Sequence, residues 1–481
     1  MTMEVRTISN SESINSIKEK VLERILPNLK ERRTVLSIAN ALARKVSESA
    51  KKSNLECIVT LEGSVAKDTW LKDEADIDIF MQVPRTLEKK QLEEICLKIA
   101  KDSLKKYPTV ERYAEHPFIE ANVDNHTVNI VPCYRTIKGQ WMSAADRTPF
   151  HTEYMKKHLN NELRNEIRIL KKFMKSIGTY GAEIKIGGFS GMLCEILILH
   201  YNSFRNLLNS ASEWKNKEIV DIENFYKGSE KDIYDLFNEP LIVIDPVDRN
   251  RNVAAAVTDK RLWEFVSASR AFLEKSSKDS FFPKIVGKIS SKKLCEMITN
   301  RGTSLIFLKF GKIDAVVDVI WSQLFKSERS LKQSLKSNGF NVLRSASWSD
   351  EKNLNILIFE LETNPIPTVR KHLGPQIYRK QDSEHFLKKH LNAKDTTIGP
   401  WIDVNRWAVG KKRMYNDARN LLSNLLRDKE QKIGIAKFVS NSLKNGFEIM
   451  EDEQILELYK KNKMLAKILI TFLRGKNFWI K

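Results

Sequence analysis

The chain has 481 residues, of which 81 are Lys or Arg and 61 are Asp or Glu, so its formal net charge is +20. A surplus of this size predicts a polyanionic partner, because net charge acts on association rather than on the choice of fold. The length suggests about three domains at roughly 150 residues each, which excludes an isolated small module. With 42% hydrophobic residues, 18 Gly and 13 Pro, the composition excludes a low-complexity or collagen-like polymer.

Cysteine spacing and hydropathy indicate the cellular compartment. The five cysteines are scattered and form no Cys-x-x-Cys pair, which favours neither a disulfide framework nor a structural zinc site. The first 13 residues are polar and contain no apolar signal core. The apolar run at 192–199 is interrupted by Glu195 and is too short to span a bilayer. We therefore expect a cytoplasmic protein with no membrane partner.

The first 150 residues are predicted to form an α/β domain, because helical and strand-like patterns alternate along them. Apolar residues at three- and four-residue spacing predict helices, and β-branched runs predict strands. In chain order the predicted elements are helices at 11–26 and 34–51, a strand at 57–61, a tight turn at Gly63-Ser64, a strand at 76–83, a helix at about 87–106, and a hairpin at about 110–135 with its turn at 124–126.

The rest of the chain is predicted to be richer in helix. Residues 151–237 follow an almost entirely helical pattern. A β-α-β-β order at 303–362 is half of a ferredoxin-like or RRM-like sandwich. The last hundred residues are predicted to be helical and basic. The predicted fold class is therefore α+β with several domains.

Two aspartates on the strand at 76–83 carry the chemistry. Asp76 and Asp78 project from one face because residues i and i+2 of a strand share a face, while the apolar residues between them pack behind. A divalent cation relieves the repulsion between two such carboxylates, and Mg²⁺ is commonly held by one or two carboxylates plus substrate phosphates. Gly63 and Ser64 supply backbone N–H groups and a hydroxyl where a triphosphate can bind.

These two motifs gain meaning from their order. A lone Gly-Ser is usually a loop, and a lone Asp-x-Asp is usually a polar strand edge. Gly-Ser followed about a dozen residues later by Asp-x-Asp is the signature of the nucleotidyltransferase superfamily, which includes poly(A) polymerases and CCA-adding enzymes. The chain resembles the archaeal-type (class I) CCA-adding tRNA nucleotidyltransferases in blocks at 63–70, 129–134, 146–151, 180–183, 188–191 and 245–254, with weaker matches at 374–376 and 405–407.

The resemblance implies a reaction and a division of the chain. The reaction is the template-independent addition of C, C and A to the 3′ end of tRNA from CTP and ATP. The implied partners are the tRNA acceptor end and these nucleotides, and a homodimer stays open. The implied domains are a polymerase-β-like nucleotidyltransferase α/β head at 1–150, a helical neck at 151–240, an RRM-like body at 241–365 and an α-rich tail at 366–481.

The resemblance also implies roles for individual residues. Lys67 stands where the family commonly has Arg. Taken alone, His151 is better explained as a helix-start residue, Tyr180 as a core aromatic and Arg251 as an ordinary surface charge. Carried over from the family, two Mg²⁺ ions are held by Asp76 and Asp78, the triphosphate by Gly63, Ser64 and Lys67, the phosphates and ribose by His151, Lys171 and Tyr180, and the base by Arg251.

The chain departs from the family pattern at Asn129, where the family has a third catalytic carboxylate. An amide is a poorer Mg²⁺ ligand and cannot accept a proton, and loss of a general base costs about 10²- to 10⁴-fold in rate. A turn at Asn125-His126 predicts that Asn122 lies opposite Asn129, so Asp124 is not expected to compensate. Three explanations stay open: an introduced substitution, a naturally weakened enzyme, or a homologue that binds tRNA without turnover.

Recognition of an A-form acceptor stem should depend on phosphates, 2′-hydroxyls and shape. Lys411, Lys412 and Arg413, beside Trp401 and Trp407, are candidate RNA-backbone contacts, although a solvated helix face explains each of them as well. Two other hypotheses remain: a poly(A) or oligoadenylate polymerase, and a catalytically silent RNA-binding protein.

Overall fold

The chain divides into two compact units. Unit 1 comprises Met1–Lys284 and Asn477–Lys481, and unit 2 comprises Ile285–Lys476. The boundary falls inside the segment 241–365, and the four-part division of the chain stays a prediction. The polar N-terminus, residues 1–12, lies outside the described residues. The computed structural model describes residues 13–113, 116–284, 289–427 and 433–480.

Unit 1 confirms the helices on either side of Pro27 and the strands at 57–61 and 76–83. Asn28 caps the second helix by accepting a hydrogen bond from the Glu31 amide at 2.9 Å. The helices are α1 (Ile14–Ile25), α2 (Leu29–Lys52), α3 (Gly63–Lys67), α4 (Lys89–Ser103), α5 (Thr148–His158), α6 (Asn161–Ile177), α7 (Gly191–Tyr201), α8 (Phe204–Ser212), α9 (Glu230–Leu236) and α10 (Asp259–Glu274). The strands are β1 (Ile58–Glu62), β2 (Asp76–Val83), β3 (Thr109–Tyr113), β4 (Pro117–Val123), β5 (His126–Tyr134), β6 (Glu218–Val220), β7 (Leu241–Asp245) and β8 (Asp248–Asn252).

The first sheet of unit 1 has one apolar and one polar face. Its strand order is β1-β2-β5-β4-β3, with β2 and β5 parallel and the other pairs antiparallel. Ile77, Ile79, Val128 and Ile130 are fully buried in a core shared with apolar residues of α2 and α4. Because side chains alternate along a strand, the residues between them face the other way. The opposite face carries Asp76, Asp78 and Asn129, with Phe80 further along β2, and is called the polar face.

The β4–β5 hairpin corrects one prediction. Its turn consists of Asp124 and Asn125, which have positive φ angles of 50° and 65°. Two such residues form the tight hairpin turn whose twist matches the strands, and Asp and Asn tolerate that conformation. Val123 then pairs with His126, and Glu120 lies opposite Asn129. The prediction that Asn122 lies opposite Asn129 is wrong, because the turn begins one residue earlier.

A second core of unit 1 is built mainly from helices. It joins apolar residues of α6, α7, α8 and α10 with those of β7. Helix α6 begins after the capping residue Asn160 and ends at Gly178, whose left-handed φ of 78° suits glycine. The helical prediction for this region is confirmed, with the short strand β6 added.

Unit 2 confirms the predicted β-α-β-β order and corrects another expectation. Lys411 and Lys412 lie on a strand and not on a helix, so the prediction that the last hundred residues are helical is wrong over the hairpin at 396–412 and over the short strand at 447–450. The helices are α11 (Ser291–Thr299), α12 (Val317–Ser337), α13 (Lys380–His390), α14 (Ala418–Arg427), α15 (Lys437–Lys444), α16 (Asp452–Lys461) and α17 (Lys463–Arg474). The strands are β9 (Ser304–Phe310), β10 (Val342–Ser349), β11 (Asn355–Leu361), β12 (Val369–Gln376), β13 (Thr396–Asp403), β14 (Arg406–Lys412) and β15 (Phe447–Met450).

The sheets of unit 2 have the orders β10-β11-β9-β15 and β12-β14-β13. Tryptophan and β-branched residues favour strands in the second sheet, as at Trp401, Trp407 and Val409. The α+β class with several domains is confirmed. Over the described ranges, every helix is too short or too polar to cross a membrane.

Candidate active site

The polar face of the first sheet brings Asp76, Asp78 and Asn129 together. Asp78 is in register with Asn129 on the parallel neighbour β5, and Asp76 is in register with Thr127. The Asn129 Nδ2 donates a hydrogen bond of 3.0 Å to Asp78 Oδ1, and Thr127 bonds Asp76. The other Asn129 side-chain atom, Oδ1, is buried without a hydrogen-bond partner in the described part of the chain.

Both aspartates hold a proton more tightly than a free aspartic acid does. Burial raises the pKa of Asp78 to about 6, and the Asp76 carboxylate adds to this, while the hydrogen bond from Asn129 opposes it. Burial also raises the pKa of Asp76, against the hydrogen bond from Thr127 and the charge of Lys175. Negative charge is therefore under-compensated at this face, as expected of a site for a cation.

Gly63 allows the chain to approach the aspartates closely. It has a φ of 71°, and a Cβ added there would lie 2.1 Å from Asp78 Oδ2. The predicted turn at Gly63-Ser64 is the start of the five-residue helix α3, which packs against β2. Ser64 is partly buried at this point, directly after the strand that pairs with β2. Any larger residue at Gly63 would displace the Asp78 carboxylate.

A buried cluster of charges lies next along the chain. Lys67 Nζ donates to Glu195 Oε2 at 2.5 Å, and the Thr69 hydroxyl donates to Glu195 Oε1 at 2.6 Å. Lys171 Nζ lies 3.4 Å from Glu195 Oε1 and donates to the Thr69 carbonyl at 3.1 Å. These side chains are all buried, and Glu195 is 1% exposed. One carboxylate thus holds both Lys67, which was predicted to contact the triphosphate, and Lys171, which was predicted to contact the phosphates and ribose.

The charges of this cluster stabilise one another. Burial lowers the pKa of the Lys171 ammonium, and the Glu195 carboxylate opposes that effect. Burial by itself would raise the pKa of Glu195, but the ammonium groups of Lys67 and Lys171 hold it below its ordinary value. Sequence reasoning did not identify Glu195 as the partner of these lysines, although its position inside an apolar run was the available signal.

Tyr180 lies beside this cluster. It is bridged to Phe189, and burial raises its pKa well above the ordinary value, so it remains a neutral phenol. A Cβ added at Gly191 would lie 3.1 Å from the Tyr180 hydroxyl and 3.7 Å from Lys171 Nζ. The hydroxyl and the ammonium therefore flank the same glycine, and their shared role in nucleotide binding stays a prediction.

Asp245 joins the two remaining predicted residues. His151 Nε2 lies 2.8 Å from Asp245 Oδ2, and Arg251 Nη1 donates to the same oxygen at 2.7 Å. The Val247 amide donates to Asp245 Oδ1 at 3.0 Å. Burial would raise the pKa of Asp245, but the hydrogen bond and charge of His151, with the charge of Arg251, hold it below its ordinary value. Sequence reasoning missed this shared carboxylate too.

The predicted RNA contacts lie in unit 2. Lys411 pairs with Asp395 at 2.7 Å, and the Arg413 guanidinium donates to the Asn338 carbonyl at 3.4 Å. Lys412 is exposed at the end of β14. Their roles in RNA binding stay predictions.

The residues at Asp76 and Asp78 fit a divalent cation in donor chemistry. No group of three or more His, Cys, Asp and Glu side chains in the described ranges is arranged to hold a metal ion. The two carboxylates and the unpartnered Asn129 oxygen nevertheless offer hard oxygen donors at a face where Gly63 permits close approach. Substrate phosphates commonly complete the coordination of such ions, so these residues suit a cation that arrives with a nucleotide.

Comparison with known proteins agrees with this geometry. Family models match residues 43–151 (nucleotidyltransferase domain), 165–282 (tRNA nucleotidyltransferase, second domain) and 301–452 (CCA-adding enzyme, C-terminal domain). The CCA-adding enzyme of Methanothermobacter thermautotrophicus is 34% identical over 445 residues, which cover 92% of this chain and 95% of that protein. That of Methanocaldococcus jannaschii is 36% identical over 439 residues, covering 89% and 94%. With this identity over nearly its whole length, and with Asp76 and Asp78 on one face of the first sheet, the chain belongs to the CCA-adding enzyme family of tRNA nucleotidyltransferases.

Proposed function

We propose that this chain adds C, C and A to the 3′ end of tRNA, using CTP and ATP and releasing pyrophosphate, without a nucleic-acid template. The observation that carries the proposal is the pair Asp76 and Asp78 on one sheet face against Gly63, in a member of the CCA-adding enzyme family. In nucleotidyl transfer the protein has little covalent work to do, so positioning and charge neutralisation dominate.

Asp76 and Asp78 bind the divalent cations that the reaction needs, and we expect two Mg²⁺ ions. Such ions, when bound, neutralise charge on the transferred phosphoryl group. Gly63 lets the triphosphate approach the carboxylates, and Ser64 offers a hydroxyl to it. The raised pKa of Asp78 makes cation binding strongest above about pH 6, where the carboxylate is ionised.

Lys67, Lys171 and Tyr180 grip the phosphates and ribose of the incoming nucleotide. Glu195 fixes the direction of both ammonium groups before the nucleotide binds, because it is bonded to each of them. A triphosphate then competes with this single carboxylate for several ammonium protons. The cluster is thereby preorganised for an anion.

Arg251 reads the base. Asp245 accepts a hydrogen bond from Nη1 of the guanidinium. The Arg251 side chain is 38% exposed, so its other N–H groups remain available as donors. Cytosine and adenine present an unprotonated ring nitrogen on the Watson–Crick edge, where uracil and guanine carry an N–H. A guanidinium donor at this position therefore favours CTP and ATP over UTP and GTP. His151 shares Asp245 and helps to hold the phosphates.

The net charge of +20 supports binding of the tRNA acceptor end, with Lys411, Lys412 and Arg413 as the proposed backbone contacts. A cytoplasmic location and a homodimer stay predictions. Asn129 favours a second candidate function, which is tRNA binding with little turnover, because the amide cannot act as a base.

One assay separates these functions. The protein is incubated with Mg²⁺, CTP, ATP and a tRNA that lacks its terminal CCA, beside an Asn129→Asp variant and an Asp76→Asn control. We expect the wild type to complete CCA and Asp76→Asn to be inactive. Extended runs of A would indicate a poly(A)-type enzyme. Silence from both the wild type and Asn129→Asp would refute the enzymatic function.

A further inference from the structure

The active site lacks a carboxylate at Asn129, where the family pattern has an acidic residue. The Asn129 amide is fixed against Asp78, and its Oδ1 is buried without a partner in the described residues. An amide cannot take the proton of an attacking hydroxyl. The reaction proposed above therefore needs a base from elsewhere in the site.

The register of the sheet places Glu120 beside Asn129. Glu120 on β4 lies directly opposite Asn129 on β5, and Asn129 is in register with Asp78 on β2. Residues in register on neighbouring strands project from the same face, with Cβ atoms about 4.5–5.5 Å apart in an antiparallel pair. Asp78, Asn129 and Glu120 thus form a row across the polar face.

The Glu120 carboxylate has the reach and the freedom to act there. Glutamate is one methylene longer than the aspartate that the family pattern has on the neighbouring strand. Glu120 accepts hydrogen bonds from Arg112 at 2.8 and 3.2 Å, and the two side chains are 29% and 42% exposed. Ion pairs with this much solvent contact contribute little to stability, so rotation of the carboxylate toward Asn129 is inexpensive. Its charge already acts on Asp76, whose pKa it helps to raise.

We propose that Glu120 supplies the third carboxylate of the active site in place of the acid missing at Asn129. This inference rests on the proposed function. In the transfer, the 3′-oxygen of the RNA bonds to the α-phosphorus of the nucleotide, and Glu120 accepts the hydroxyl proton. The bond from the α-phosphorus to the oxygen bridging the β-phosphate breaks, and pyrophosphate leaves with that electron pair.

Two other acidic residues are less suited to replace the missing carboxylate. Glu62 is in register with Asp78 from the opposite side, so Asp78 separates it from Asn129. It is 3% exposed, which restricts its movement. Asp124 lies in the hairpin turn, beyond the strand pairs that hold Asn129. Glu120 alone among these three adjoins Asn129.

The test uses the full-length chain and two readouts. The first is Mn²⁺ binding in the presence of CTP and without RNA, followed by electron paramagnetic resonance. Glu120→Gln should weaken Mn²⁺ binding about 10-fold, in the range found for groups that support a metal site. The second is the single-turnover rate of C addition, which should fall about 100-fold. In the Asn129→Asp background, Glu120→Gln should change either readout by less than about 3-fold, because the two carboxylates would then be redundant.

Matched controls separate this role from a structural one. Glu111→Gln changes a glutamate on β3 that is paired with Lys101 and in register with buried Ile119, and it should leave both readouts unchanged. Arg112→Ala removes the ion pair but keeps the Glu120 carboxylate, so it should preserve Mn²⁺ binding. If Arg112→Ala reproduces the loss seen in Glu120→Gln, the effect is structural and the inference is wrong.

The outcomes distinguish this inference from the proposed function. A wild type that transfers no nucleotide but binds Mn²⁺ in a Glu120-dependent way refutes the function and supports the carboxylate assignment. An active wild type in which Glu120→Gln behaves like Glu111→Gln supports the function and overturns the inference. Dependence on Glu62 in a Glu62→Gln variant, with none on Glu120, also overturns it.

Discussion

The substitution Glu195→Gln tests whether one carboxylate organises the phosphate-binding side of the site. Glutamine keeps the size of the side chain and can still accept the hydrogen bond from Thr69. It removes the negative charge that lies 2.5 Å from Lys67 Nζ and 3.4 Å from Lys171 Nζ. Two buried ammonium groups are then left without a counter-charge.

The expected cost is large because all partners are buried. Glu195, Lys67 and Lys171 are 1%, 7% and 3% exposed, so water cannot replace the lost carboxylate. Breaking a buried ion pair by removing one partner costs about 3–5 kcal/mol. We expect a loss of about 4 kcal/mol at pH 7, measured by urea denaturation followed by tryptophan fluorescence.

The dependence on pH gives a second signature. The lysines hold the pKa of Glu195 below its ordinary value of 4.5, so its ionisation stabilises the folded state above about pH 4.5. This contribution is lost as the pH falls through the folded-state pKa, which lies lower. The difference between wild type and Glu195→Gln should therefore be constant from pH 5 to 7 and shrink in more acidic solution.

A matched control is Glu48→Gln on the surface of α2. Glu48 lies 3.8 Å from Arg44, and the side chains are 59% and 77% exposed. Such a pair contributes less than about 0.5 kcal/mol. A loss in Glu195→Gln no greater than in Glu48→Gln, or a loss that does not change with pH, would refute the reasoning.

Three further substitutions test other parts of the site. Gly63→Ala should lower the single-turnover rate by about 100-fold, because the added Cβ would displace the Asp78 carboxylate and a misplacement of about 1 Å has that effect. The control Gly139→Ala should remain active, because Gly139 has a similar positive φ and open space around it. Asp78→Asn should abolish transfer, yet it should stabilise the metal-free protein by about 3 kcal/mol well above pH 6, because the pKa of Asp78 is raised from 3.8 to about 6. Thermal melting with a chelator should show this gain disappearing below about pH 4. A gain that persists at pH 3 would contradict this cause. Arg251→Ala should raise the KM for CTP and ATP about 10-fold or more, because a charged hydrogen bond to the base is lost. The control Arg249→Ala should leave these KM values unchanged. Equal effects of the two substitutions in steady-state kinetics would argue against base reading by Arg251.

The sequence predicted the elements that carry the nucleotide chemistry. Alternation along β2 placed Asp76 and Asp78 on one face and the isoleucines between and after them in the core, as the structure confirms. The β-α-β-β order of unit 2 was also predictable, because its strands are apolar and its helix is long and amphipathic. Local pattern sufficed for these features.

The features that sequence missed depend on distance or on fine geometry. Glu195 is 128 residues from Lys67, and Asp245 is 94 residues from His151, so no local pattern joins either pair. The hairpin register depended on which two residues adopt a left-handed conformation, Asp124-Asn125 or Asn125-His126. That choice decided whether Asn122 or Glu120 lies opposite Asn129, and with it whether a third acid adjoins the site.

The most direct test of the account is the 3′-end sequence of the product formed from tRNA that lacks CCA, with CTP, ATP and Mg²⁺ supplied together. The account predicts that the wild-type chain adds C, C and A and then stops, and that Asp78→Asn adds nothing. An unextended tRNA, or a tail of repeated A in place of CCA, would contradict it.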